Sequence, residues 1–449
     1  MERRPCSCYS TGRDRTIAEG VSDGVERGKV IVVAGPTGVG KTAVSLALAK
    51  RLVDQAKGAE VISADSVQVY QGLDVGSRKL PEVERHEFAS LHGVPHHLID
   101  VLTPGAQYTA GDFHAQARRK TLEILARGKT PIVVGGTGFW LRWYVQGRPT
   151  TPRSEKRSRE EARRMIEEAR DCGDEERQWE RAAALLTDAG DPETAERLNR
   201  NDYFRLERAL EIVLSTGKPM KAHLLENQKR EGGEGKGRGA SDFDFRCFFL
   251  YPKSRLELYQ RLDESCEEMV LGGLMRECVE LLNLGLMPAT STSTNAVGYR
   301  QFMEYLVRCS EEERRHHPRE DWTPSSEDFL ETFSDFQKQT RRLAQDQLTW
   351  FRNETGFEWV PMESDEEEAV AKAVETIWSD FTSTDGDDGG PRQWDNTGMG
   401  YLSRDEEKEL KGYKGRCLLT GRDQGDQVRG TVMDQVKTWV TGNEWKQVN

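Results

Sequence analysis

The chain has 449 residues, 64 Lys and Arg against 76 Asp and Glu, a net charge of −12 and 36% hydrophobic residues, which is material for a sizeable core and two or three domains. No apolar run approaches the ~18 residues of a membrane-spanning helix, so no membrane partner is expected. The acidic balance gives no global attraction to nucleic acid, so any RNA contact has to come from local basic surfaces. Before Val30 the chain carries Glu2, Asp14, Glu19, Asp23 and Glu26 without an apolar stretch, unlike a secretory signal. The expected compartment is the cytoplasm, with a chloroplast or mitochondrial transit segment left open. The eight cysteines, Cys6, Cys8, Cys172, Cys247, Cys266, Cys278, Cys309 and Cys417, form no repeated Cys-x-x-Cys pair, which predicts a reducing compartment and no structural zinc.

After an N-terminal extension (1–28), the stretch 29–149 alternates short apolar runs with helical patterns. Val30–Ala34 reads as a buried strand, a helix follows from Lys41, and Glu60–Ser63, Leu98–Val101 and Pro131–Val134 read as further strands. This predicts an α/β fold, a parallel sheet with crossover helices of the P-loop NTPase-like kind. Over 150–200 the composition turns to Arg, Glu and Ala with no strand signal, which predicts a helical insertion. The core resumes over 201–383: a Gly-rich surface loop from Arg230, a strand over Phe245–Leu250, a long helix from Arg255 to Leu284 and another from Phe329 to Arg352. The stretch 384–449 reads as a mostly disordered extension with a short helix near Glu406–Leu410.

The first strand runs directly into Gly35-Pro36-Thr37-Gly38-Val39-Gly40-Lys41-Thr42. Gly35, Gly38 and Gly40 let the backbone turn tightly and aim its N–H groups at one point, where a helix N-terminus favours anions. Lys41 supplies a point charge and Thr42 a hydroxyl for Mg²⁺, so the loop predicts a cradle for two linked phosphates and a metal. Asp65 follows the second strand, at the sheet edge where α/β proteins bind ligands. It suits a general base, a metal ligand through water, or a helix N-cap. A second glycine turn, Gly135-Gly136-Thr137-Gly138, follows the fourth strand and places more N–H groups and a hydroxyl at the same edge. His96 and His97, adjacent on an extended chain, point to opposite sides and are read as structural.

These segments together resemble the tRNA dimethylallyltransferase (tRNA isopentenyltransferase) family from Val30 to about Val360. The resemblance is carried by GPTGVGKT, SADSVQVYQGLDVGSRK, PHHLID, GKTPIVVGGTGFWLRW, NDYFRLERALEIVLSTGKP, AVGYRQFMEYL and the helix ending QLTWFR. It looks most like the plant-type branch without a C-terminal zinc finger. The resemblance implies prenylation of the adenosine beside the anticodon. Thr37, Gly38, Gly40, Lys41 and Thr42 would hold the diphosphate of dimethylallyl diphosphate, with Gly35 and Val39 completing that loop. Asp65 would be the base, and Ser66, Val67, Gln68 and Thr137 would line the channel for a base taken out of the RNA stack. Contacts to the tRNA anticodon stem-loop would come from Arg157, from Arg205 and Arg208, and from Asn295 to Arg300 around Gly298 and Tyr299. For Arg157 a plain solvated helix face is the competing reading. A monomer is implied.

Three positions depart from the family's pattern: Ser265 stands where an arginine near the diphosphate is usual, Gln345 and Asp346 replace a lysine and an arginine, and Trp140 replaces a tyrosine. The first two remove positive charge, which implies weaker or altered tRNA binding, and Trp140 keeps an aromatic wall. Competing readings are an adenylate prenyltransferase making cytokinin from free AMP or ATP, a P-loop small-molecule kinase, and a non-catalytic RNA-binding descendant.

Overall fold

The computed structural model describes residues 27–147, 155–171, 177–198, 200–223, 242–316, 321–363, 366–383, 401–413, 415, 419 and 424–442. In chain order the elements are β1 (Lys29–Ala34), α1 (Lys41–Asp54), β2 (Ala59–Ser63), α2 (Glu82–His92), β3 (His96–His97), α3 (Ala110–Ala126), β4 (Thr130–Gly135) and α4 (Gly138–Gln146). Four helices follow, α5 (Lys156–Arg170), α6 (Gln178–Asp188), α7 (Pro192–Arg197) and α8 (Tyr203–Thr216). After β5 (Asp244–Pro252) come α9 (Arg255–Gly272), α10 (Leu274–Asn283), α11 (Tyr299–Arg315) and α12 (Ser326–Arg352). The chain continues with β6 (Glu358–Met362), α13 (Glu366–Thr382), α14 (Arg404–Gly412) and α15 (Gln424–Gly442).

Six parallel strands form one sheet in the order β3-β2-β4-β1-β5-β6. Both faces are covered, which is why β1 and β2 read as continuous apolar or small-residue runs rather than alternating ones. On one face Val44, Leu48 and Leu52 of α1 meet Ala369, Ala373 and Ile377 of α13 over Ile31 and Val33. The other face packs Phe113, Trp140 and Tyr144 with the aromatic side of α11 and α12, Phe302, Phe329, Phe333 and Phe336. α5, α6 and α8 close a separate core of Ala162, Ile166, Trp179, Ala182, Leu186, Leu206 and Leu210. The insertion therefore runs past residue 200, because α8 gives its apolar face to α5 and α6.

Three expectations are corrected. The strand expected at Leu98–Val101 is the histidine pair itself: His96 and His97 pair with Val61 and Ile62. Leu98 (φ 59) and Asp100 (φ 55) then turn the chain away, and Asp100 receives Lys79 and, at 2.7 Å, Arg85. His97 Nε2 lies 2.7 Å from Glu60, and burial, with the nearby Arg85 and His97 charges, lowers the His96 pKa to about 4. The long helix expected from Arg255 to Leu284 breaks at Gly273 (φ 114), a left-handed residue that ends α9 and starts α10. Beyond 384 the chain is not mostly disordered over its described part. The short helix appears as α14, and α15 packs on α11, with Val432, Val436 and Val440 joining the main core. The N-terminal extension before Arg27 and the loop from Arg230 lie outside the described residues.

Candidate active site at the carboxyl edge of the sheet

β1, β2 and β4 are neighbours, and their carboxyl ends deliver the two glycine turns and the Asp65 loop to one place. Gly38 (φ 75) and Gly40 (φ 98) take left-handed conformations, so the first turn requires glycine there. A Cβ on Gly35 would sit 2.8 Å from the Leu250 carbonyl oxygen, so the loop is seated directly on β5. Val39 is buried beneath it, while Thr42 is exposed on the first turn of α1. Lys41 folds back and donates from Nζ to the Pro36 carbonyl at 2.7 Å. Burial of the ammonium lowers its pKa from 10.5 to about 8, and the Asp65 carboxylate opposes that fall. Lys41 therefore lies within electrostatic reach of Asp65.

Asp65 Oδ1 accepts the Val67 N–H at 2.8 Å and the Gln68 N–H at 3.3 Å. One carboxylate oxygen thus orders the turn, and the second remains on the same group. The Ser66 N–H donates to Thr137 Oγ1 at 3.2 Å, which ties the second glycine turn to the Asp65 loop. Gln68 is anchored at both ends of its amide: Nε2 donates to the Ser77 carbonyl at 3.1 Å and Oε1 accepts from Ser63 Oγ at 3.0 Å. Ser66, Val67, Gln68, Asp65 and Thr137 are all partly exposed and lie together.

The predicted RNA-facing residues do not gather at this point. Arg157 is exposed on α5. Arg205 is exposed on α8 and pairs with Asp202 at 3.2 Å, and Arg208 pairs with Glu211 at 2.7 Å. Arg300 is exposed at the start of α11, 2.9 Å from Glu304. Gly298 is buried, and a Cβ on it would lie 2.9 Å from the Phe336 ring. Tyr299 is corrected outright as a surface contact: it is fully buried and donates its hydroxyl to Glu277 Oε2 at 2.6 Å. Burial and the adjacent Glu277 carboxylate push its pKa up. Trp140 is likewise a core residue, stacked on Phe113 at 4.7 Å. Ser265 is half-buried on α9, two residues after Asp263, whose buried carboxylate takes Arg341 and the Tyr413 hydroxyl. Asp346 stands 3.9 Å from Arg342 on the exposed side of α12.

Several residues that hold the site escaped sequence reasoning. Glu277 accepts the N–H groups of Asp74, Val75 and Gly76 at 2.8, 2.8 and 3.1 Å, besides the Tyr299 hydroxyl. Lys79, itself buried, donates to the Tyr70 carbonyl at 2.6 Å and to Asp74 at 2.7 Å. Arg142 of α4 pairs with the buried Glu354 and lies over Trp350, 4.4 Å from its centroid. Trp350 in turn covers Gly138, where a Cβ would be 2.4 Å from the indole.

The IPP transferase family pattern matches residues 68–354, and the isopentenyl transferase pattern matches residues 28–89. The tRNA dimethylallyltransferase 9 of Arabidopsis thaliana is 41% identical over 356 residues, covering 75% of this chain and 72% of that protein. This chain belongs to the tRNA dimethylallyltransferase family. Solved structures carry the same family into three dimensions. A tRNA isopentenylpyrophosphate transferase from Bacillus halodurans aligns with a TM-score of 0.50 at 29% identity, over 79% of this chain and 96% of that one. A eukaryotic dimethylallyltransferase acting on tRNA aligns with a TM-score of 0.58 at 26% identity, over 78% and 77%. The two matched patterns together take in Asp65, both glycine turns, the end of α12 from Gln347, and Glu354 just beyond it.

Proposed function

We propose that this chain transfers the dimethylallyl group of dimethylallyl diphosphate to the exocyclic amine of the adenosine 3′-adjacent to the anticodon in tRNA, releasing diphosphate. The observation that carries the proposal is the grouping of Lys41, Asp65 and Thr137 on the ends of three adjacent strands. The amine is a weak nucleophile that gains positive charge as it bonds to the allylic carbon. The carbon–oxygen bond to diphosphate breaks, and the Asp65 carboxylate takes the amine proton. Lys41 and the loop N–H groups meet the negative charge that collects on the departing diphosphate. To do so Lys41 leaves the Pro36 carbonyl, and the negative charge of the bound diphosphate favours the ammonium form that burial disfavours.

The Thr42 hydroxyl, a hard oxygen beside a phosphate loop, fits Mg²⁺, which keeps waters and phosphate oxygens among its ligands. When bound it supplies charge neutralisation for the leaving diphosphate. Adenine reaches the site out of its stack, past Ser66, Val67 and Gln68. Arg157, Arg205, Arg208 and Arg300 offer the phosphate-binding charge that the chain as a whole lacks, and the enzyme acts as a monomer on one anticodon stem-loop.

The test is transfer of labelled dimethylallyl group, with Mg²⁺, to unmodified anticodon stem-loop RNA, with AMP and ATP in parallel. Label in RNA is the expected result. Label only in free nucleotide makes the chain an adenylate prenyltransferase, and label in neither rejects the transfer reaction.

A further inference from the structure

We propose that Gln347 is a positioning residue that holds the two glycine turns in register, and that prenyl transfer depends on this brace; the inference rests on the function proposed above. The β1–β4 ladder ends at the pair Ala34↔Gly135. Beyond that pair, the side-chain amide of Gln347 spans the gap. Its Oε1 accepts the Thr37 N–H at 2.9 Å and its Nε2 donates to the Gly136 carbonyl at 3.1 Å. A primary amide offers the same donor and acceptor as a peptide group, so Gln347 acts as one added rung between the turns. The fit is close, because a Cβ on Gly136 would lie 2.4 Å from Gln347 Nε2.

The rung is carried by a rigid support. Gln347, Trp350 and Phe351 share one face of α12 by their spacing of three and four residues, and Glu354 follows just past the helix end. Trp350 covers Gly138, Phe351 stacks on Phe249 of β5 at 4.4 Å, and Glu354 holds Arg142 of α4. The same face thus touches both turns and the strand beneath them. In the proposed reaction the first turn holds the donor diphosphate, while the second, through Thr137 and Ser66, borders the loop that carries Asp65. Their relative placement sets the distance between allylic carbon and amine, and a misplacement of ~1 Å costs on the order of 100-fold in rate.

The Gln347→Met variant keeps length and bulk and removes both hydrogen bonds. Its kcat is expected to fall by roughly 30- to 100-fold, with KM for dimethylallyl diphosphate and for RNA within about threefold of wild type and the unfolding midpoint little changed. Gly136→Ala displaces the amide from the opposite side without altering α12, and should give a similar fall. In the double variant the two losses should not add, because both remove one interaction. A wild-type kcat in Gln347→Met, a loss confined to the donor KM, or additive losses in the double variant would overturn the brace. Amide hydrogen exchange of the Thr37 segment reads the brace apart from catalysis. Faster exchange in Gln347→Met is expected, and unchanged exchange overturns the inference whether or not the wild-type enzyme prenylates RNA.

Discussion

The catalytic edge of the sheet and the helical insertion are held together in opposite ways. At the edge, contacts join residues far apart in sequence: Thr37 to Gln347, Asp74 to Glu277, Arg142 to Glu354. The carboxylates of Glu277 and Glu354 are buried, so each donor depends on one acceptor. On α5 and α8 the charges pair locally on exposed faces, as in Arg164–Glu168 at 2.8 Å and Arg205–Asp202 at 3.2 Å. Exposed pairs of this kind hold little energy. They can exchange a carboxylate for a phosphate at low cost, whereas the buried contacts of the edge cannot be traded. The edge is therefore rigid, while the insertion presents arginines that the proposed RNA contact could re-pair.

The comparison can be broken at either end. Lys41→Ala is expected to lower kcat/KM for dimethylallyl diphosphate by about 100- to 1000-fold, with stability within about 1 kcal/mol, since a cation at a helix N-terminus is not a stabilising group. Steady-state kinetics and urea unfolding of the same sample check both halves. Glu277→Ala should act the other way round. It strips the acceptor from three backbone N–H groups and the Tyr299 hydroxyl, and should cost about 3–5 kcal/mol in urea unfolding. If it unfolds like wild type, the edge is not held by buried acceptors.

In the insertion, Arg205→Ala with Arg208→Ala should raise KM for RNA about 5- to 20-fold and flatten its dependence on salt by about one phosphate contact per arginine. The KM for dimethylallyl diphosphate should not move. A change in donor KM would mean that the insertion and the edge are coupled, which the comparison denies.

Two titrations within the α/β core follow from the same burial. Lys41 has a native pKa of about 8 against 10.5, so the free enzyme loses its charge above pH 8 and donor KM should rise there. Over the same window from 8 to 10.5 the native state binds fewer protons than the unfolded chain, so this group makes stability rise with pH. Burial works to raise the Glu60 pKa, but hydrogen bonds from Arg127, His97 and Lys129 overcome this and hold it at about 2. Its contribution is complete above the unfolded value near 4.5 and is lost as pH falls to about 2. Acid unfolding of Glu60→Gln should therefore shift less over that window. Smallest of all, Arg164→Ala on α5 should change stability by no more than about 0.5 kcal/mol.

What was legible in the sequence follows the same division. Runs such as Val30–Ala34 and the GPTGVGKT loop carry their structure locally, so the sheet, the phosphate loop and the placement of Asp65 could be read directly. The strand at His96–His97 could not. Its apolar continuation, Leu98–Val101, is turned away by Lys79 and Arg85 pulling on Asp100, contacts across 15 and 21 residues. α15 was missed because its core contacts are valines every fourth residue, Val428, Val432, Val436 and Val440, interrupted by Gly430. Both residue types are weak helix formers, and packing on α11 overrides that preference. Tyr299 looked like part of a surface motif, and only Glu277 on a neighbouring helix explains its burial. Gln347 lies 310 residues from Thr37, a pairing that no local pattern encodes.

The most direct test of the account is the single-turnover rate of dimethylallyl transfer to anticodon stem-loop RNA by Asp65→Asn, with both substrates bound in advance. Asparagine keeps the oxygen that orders Val67 and Gln68 but cannot take the proton. A rate lowered by about 100- to 10,000-fold, with both substrates still bound, is the predicted result. Transfer at the wild-type rate would contradict the assignment of Asp65 as the base, and with it the chemical reading of the sheet edge.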